Sequence, residues 1–196
     1  FSIINFNYTH VFDHGIDVLG RNGVAINGKT PPNCDTIGEV YHIHGKFSHE
    51  MVMGVDGDDQ IANQDFARNA GIRQRIIKPE INEALNHGLV MDCKKTISKS
   101  QIIVVFGMSI GKTDRTWWKS VGEWLKRSKD HQLIIFIHIE GQDTRLAGSI
   151  NVTERGTQNR LLNFTALTDV EKENVRHQIT VVLNCELFGT RLFRLE

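Results

Sequence analysis

Cysteine and proline are both scarce in this 196-residue chain, at three residues each. Cys34, Cys93 and Cys185 lie far apart and never form a Cys-x-x-Cys pair. That argues against a disulfide framework and a structural zinc site, and it suits a reducing cytoplasm. Neither sign of charge is in excess, with 23 Lys+Arg against 23 Asp+Glu. Bulk electrostatics therefore point to neither nucleic acid nor an anionic membrane as a partner. No apolar run approaches the ~20 residues a membrane span needs. An internal repeat, a low-complexity tract and a dividing linker are all missing, and no Gly-x-Gly-x-x-Gly fingerprint occurs anywhere. The chain also lacks an initiator Met and starts inside an apolar strand, Phe1 to Ile4, so it reads as a fragment or a processed chain.

What is present suffices for a core: 40% of the residues are hydrophobic, and one domain over 1–196 is expected. The chain is organised around Gln101 to Asp114. Ile102 to Phe106 is continuously apolar, the mark of a strand covered on both faces. A glycine turn follows at Gly107 and Gly111. Then comes a helix whose apolar stripe is Trp117, Trp118, Val121, Trp124 and Leu125. Gln132 to Ile139 and Gln178 to Leu183 give further apolar strands. Thr168 with Glu171 predicts a capping box. Ile72 to Leu89 has near-helical spacing, with Pro79 either kinking one helix or opening a second. Strands alternating with helices predict an α/β fold: a Rossmann-like, mostly parallel sheet flanked by helices, incomplete at its N-terminus. Residues 10–38, rich in Gly, Asn and Pro, read as an irregular insertion or a loose hairpin at Val24 to Ile26. Short strands are expected at Glu39 to His44 and Met51 to Val55.

Ligands on such sheets sit beyond the carboxyl ends of the strands, which singles out three places. Gly107 to Thr113 resembles a P-loop, but only three residues separate its glycines where four are required. Ser109 suits a turn, and Asp114 suits the cap of the following helix. His42 and His44 share one face of an alternating strand and could share a metal, yet no third ligand has a diagnostic spacing. The turn at Asp56 to Asp59 does not complete a calcium loop, since position twelve is Ala67. His44 precedes Gly45 at a strand end, where an imidazole can take and return a proton near neutrality. Asn7, ending the first strand, offers a donor and an acceptor that cannot ionise.

Together, Asn5-Phe6-Asn7-Tyr8-Thr9, Tyr41-His42-Ile43-His44-Gly45 and Gly107-Met108-Ser109-Ile110 with Asp114 resemble the AbiH family of phage abortive-infection proteins. The spaced set spans residues 1 to about 125, and the terminal Leu187-Phe188 is compatible with it. AbiH in turn looks distantly similar to the sirtuin-like NAD-consuming fold. That resemblance implies NAD as substrate, His44 and Asn7 as catalytic residues, and Thr9, Gly45, Gly107, Ser109 and Asp114 as nucleotide contacts; the lack of paired cysteines separates the chain from zinc-bearing protein deacetylases, so no metal is expected. Thr9 stands where sirtuin-type motifs place Asp, and their glycine-rich pyrophosphate loop would precede Phe1, in a missing segment of the same protein. The implied activity is hydrolysis of NAD at the nicotinamide–ribose bond in an infected cell. Two other readings stand beside it: a non-catalytic nucleotide-sensing or interaction module, and a metal-dependent nuclease or phosphohydrolase. A homo-oligomer is left open.

Overall fold

The structure is a computed structural model that describes residues 1–19, 37–47, 51–85, 87–139 and 147–184. The expected hairpin at Val24 to Ile26, and Leu187-Phe188, lie outside these residues. The chain forms two compact units, Phe1–Thr96 and Ile97–Glu196. The fold is mixed α/β with all strand pairs parallel, as the sequence predicts. No helix among the described residues is long and apolar enough to cross a membrane.

In the first unit, β1 (Ile3–Asn5) pairs in parallel with β2 (Val40–His42), Asn5 lying opposite His42. Both strands are shorter than expected, and Phe1 is exposed. Between them runs α1 (Val11–Leu19), where an irregular stretch was expected. The Gly and Asn residues that suggested a loop begin at Gly20, so averaging over 10–38 hides a nine-residue helix. α1 turns Asp13 and Ile16 inward and exposes Val11, His14 and Gly15. β2 stops at His42, and His42, Ile43 and His44 are then buried in succession, which breaks the expected alternation.

Met51 to Val55 forms no strand. Val55 instead makes one parallel bridge to Ile77, and Gly54 lies so close to it that a Cβ would sit 2.1 Å from the Ile76 carbonyl oxygen. Around this contact Ile61, Ala67 and Ile77 form a small core with Val55 and Ile76. Helices follow: α2 (Gln64–Arg68), α3 (Ala70–Ile76), α4 (Lys78–Leu85) and α5 (His87–Lys99), whose last turn belongs to the second unit. Asn63 and Asn69 cap α2 and α3 with their side-chain oxygens. Pro79 falls in the first turn of α4, where its missing N–H leaves no helical bond unmade. In α5 the Cys93 thiol is fully buried, and burial, with Asp92 nearby, pushes it up to about 12. It is an inert core group.

In the second unit, β3 (Ile102–Val105), β4 (Gln132–Ile137) and β5 (Ile179–Leu183) form a sheet in that order. β3 ends the order, and only its Val105 face is buried. Ile102, Val104 and Phe106 are more than half exposed, so among the described residues the expected cover on both faces is absent. A run of β-branched residues fits a one-sided outer strand as well as a central one, and their hydropathy does not separate the two.

The predicted stripe of α6 (Arg115–Arg127) is buried throughout. α7 (Ala147–Phe164) packs on α6 and β5. Gly122 of α6 lets the end of α7 approach closely: a Cβ there would meet the Thr165 side chain at 2.7 Å.

α8 (Asp169–Val175) opens with the predicted capping box of Thr168 and Glu171. Glu171 also accepts from Lys126 of α6. That ammonium, aided by Thr168, holds its carboxyl at about 2 instead of the ordinary 4.5. A carboxyl depressed by folding stabilises above its unfolded value and loses that effect as pH falls through the folded one. Stability should therefore decline as pH drops from about 4.5 towards about 2. Melting temperatures across that window should fall less steeply in Glu171→Gln.

Candidate active site

The first unit gathers its polar side chains where β1 and β2 end. Asn5 and His42 are register partners of a parallel pair, so their side chains leave it on one face. Asn5 is buried, and its Oδ1 accepts from the backbone N–H of Asn7 at 2.9 Å, which fixes the turn out of β1. Asn7 and Thr9 themselves are exposed.

His42 Nε2 lies 3.0 Å from Asp13 Oδ1, and Lys46 Nζ donates to that same oxygen at 2.8 Å. Burial alone would push the Asp13 carboxyl up. The hydrogen bonds from Lys46 and His42 outweigh it and hold the group below its ordinary value, so Asp13 is a carboxylate. α1 thus clamps the turn His42–Lys46 at both ends.

His44 stands in the middle of that turn, 3% exposed. Its ring stacks on Tyr8 at 5.9 Å and meets Phe6 edge-on at 5.5 Å. The Tyr8 hydroxyl donates to the Val52 carbonyl, and the Val52 N–H donates to that of His44. Gly45 has φ +69° while its N–H closes the turn onto the His42 carbonyl. A side chain there would be strained, so the turn itself demands the glycine.

The second unit has a cavity of about 480 Å³ at the carboxyl ends of its strands. Gly107 and Ser109 line it after β3, Ile137 and His138 after β4, and Asn184 after β5. Gly107 has φ +62°, so the bend leading into the cavity also requires glycine. Phe106 and Phe136 meet edge-to-face along one wall. Thr157 and Arg160 of α7 complete the lining and bring a cation to it. Asn184 holds its own loop, donating to the Ile139 carbonyl and accepting from the Ile139 N–H.

Of the residues singled out from sequence, Asn7, Thr9, His44 and Gly45 belong to the first unit, and Gly107, Ser109 and Asp114 to the second. Asp114 is buried at the N-cap of α6 without a capping bond from its side chain. Its carboxylate accepts instead from the Thr113 hydroxyl, and it does not line the cavity. Among the described residues no group of three or more His, Cys, Asp and Glu is placed to hold a metal ion.

Sequence reasoning missed Asn5, Asp13, Lys46, Arg160 and Asn184. A buried Asn directly on a strand end and an Asp inside a short apolar helix were the available signals for the first two. Arg160 and Asn184 carry no local signature, because folding alone brings α7 and the end of β5 to the cavity.

No curated protein and no solved structure matches the chain. A family model does match, over residues 1–136, a span holding every motif residue named above but not Thr157, Arg160 or Asn184. The chain belongs to the family described as bacteriophage abortive infection AbiH.

Proposed function

We propose that this AbiH chain serves abortive infection by hydrolysing a nucleotide at its glycosidic bond, with NAD and its nicotinamide–ribose bond as the target. The observation that carries this reading is the pair of buried imidazoles, His42 and His44, at the carboxyl end of β2, beside the end of β1 that bears Asn7. Imidazole takes a proton near neutrality, and a positioned base of this kind contributes ~10²–10⁴-fold. Asn7, fixed through its N–H by Asn5, orients the attacking water as positive charge develops on the ribose. In the second unit, the cavity at the Gly107–Ser109 bend, with Arg160 in its lining, suits by itself an anionic group such as a phosphate.

The test is to incubate the complete protein with NAD and follow free nicotinamide. Release that vanishes in a His42→Ala/His44→Ala double variant is the expected result. NAD bound without release would reassign the protein to nucleotide sensing, and no binding at all would overturn both readings.

A further inference from the structure

The two imidazoles are not equivalent: His42 meets a carboxylate through Nε2, and the His44 ring packs against Tyr8 and Phe6. Asp13 is ionised and can only accept hydrogen bonds. Its contact with His42 Nε2 therefore requires the proton on Nε2, which leaves the lone pair on Nδ1. Lys46 already balances the Asp13 charge at the same oxygen. His42 and Asp13 are both more than nine-tenths buried, so their contact holds the His42 imidazole in one orientation.

His42 Nδ1 is buried and has no hydrogen-bond partner in the fold, and the same holds for Asn5 Nδ2 on the register partner and for Asp13 Oδ2. Three polar atoms of one cluster left in this way are costly, at about 1–3 kcal/mol each. A hydroxyl or water answers this set: it donates to Nδ1 or to Oδ2 and accepts from Nδ2. His44 buries its Nδ1 as well, so what marks out His42 is the Asp13 carboxylate at its Nε2, while the His44 ring packs against Tyr8 and Phe6.

We infer that His42, rather than His44, is the proton acceptor of this site, with Asp13 as the positioning carboxylate and His44 as an aromatic support. The inference rests on the hydrolase reading above. In the step it describes, the water oxygen bonds to the ribose C1′ while the bond from C1′ to the nicotinamide nitrogen breaks. The electron pair leaves with the ring, which departs as neutral nicotinamide, and the water proton passes to His42 Nδ1.

The experiment compares His42→Gln, His44→Phe and Asp13→Asn in the complete protein, with thermal melts to establish folding. His42→Gln should lower kcat ~10²–10⁴-fold with KM nearly unchanged. His44→Phe keeps a stacking ring and should lower kcat far less than His42→Gln does. Asp13→Asn preserves shape but can donate to Nε2; it should lower kcat with KM held, and it replaces His42→Gln should that variant not fold.

Nitrogen-15 NMR of the histidines supplies a readout free of turnover. His42 should be the Nε2–H tautomer in the parent, and the population should shift in Asp13→Asn. An imidazolium or an Nδ1–H tautomer at neutral pH overturns the inference. So does an active His42→Gln, or equal loss in His42→Gln and His44→Phe. A parent that releases no nicotinamide sinks the hydrolase reading and this catalytic role with it, whereas an active parent with an active His42→Gln sinks the inference alone.

Discussion

Replacing Trp124 with alanine should destabilise the second unit by about 3–5 kcal/mol, the range for removing a large buried aromatic. Three losses add here. The indole is fully buried, so its removal leaves a cavity in the α6 stripe. Its Nε1–H donates to the Ser100 carbonyl at 2.8 Å, and that bond goes with it. Its ring stacks on His131 at 4.5 Å and 8°, while His131 Nδ1 lies 2.6 Å from the Trp124 carbonyl. That last bond serves one of the carbonyls an α-helix leaves free at its C-terminus, so ring and carbonyl hold His131 together. All three tryptophans lie in α6, so fluorescence during urea denaturation reports on this unit. Trp124→Phe keeps most of the stacking surface and should lose markedly less. A Trp124→Ala midpoint close to the parent's would show that α6 is not held as described.

The second large loss is expected at Gln178, a polar residue only 2% exposed. Its amide nitrogen lies 3.2 Å from the Leu125 carbonyl, 2.7 Å from that of Ser128 and 2.9 Å from that of His131. One side chain thereby joins the end of α6, and the turn after it, to the start of β5. Gln178→Leu fills the same space but takes the amide donor from the Leu125 and His131 carbonyls, while the Ser128 carbonyl keeps the His131 N–H at 3.4 Å, at about 1–3 kcal/mol for each group left unsatisfied. A loss of about 3 kcal/mol by the same fluorescence measurement is the expected outcome. Stability within about 0.5 kcal/mol of the parent would mean that water replaces the amide. Trp124 and Gln178 share His131, so the double variant should lose less than the sum of the two.

Local patterns with a strong physical cause were legible in the sequence. The α6 stripe, the Thr168–Glu171 box and Pro79 in a first turn each follow from backbone rules that act within a few residues. The parallel α/β class followed from continuous apolar strands alternating with helices. What failed were inferences needing knowledge of distant neighbours. Ile102 to Phe106 looks central, but its place at the end of the sheet order is set by β4 and β5. The short Met51 to Val55 run had β-forming residues and found only one bridge, because its partner is the turn between α3 and α4.

At the candidate site part of the hydrogen bonding was also hidden. Strand-end position singled out Asn7 and His44, and the structure adds the buried, hydrogen-bonded amide of Asn5 and the contact of His42 with a carboxylate. The Asp13 contact joins residues far apart in sequence, and nothing in either segment announces it. Gly45 and Gly107 were legible as glycines of consequence, and both sit at positive φ.

The tie made by Asp13 has a consequence for the connecting segment. It fastens α1 to β2 through side chains, independently of the polypeptide that connects them from Gly20 to Thr36. Lengthening such a connection costs only about 0.6 kcal/mol for each doubling. Lengthening or shortening that segment should thus leave helix and strand in register so long as Asp13, His42 and Lys46 are kept.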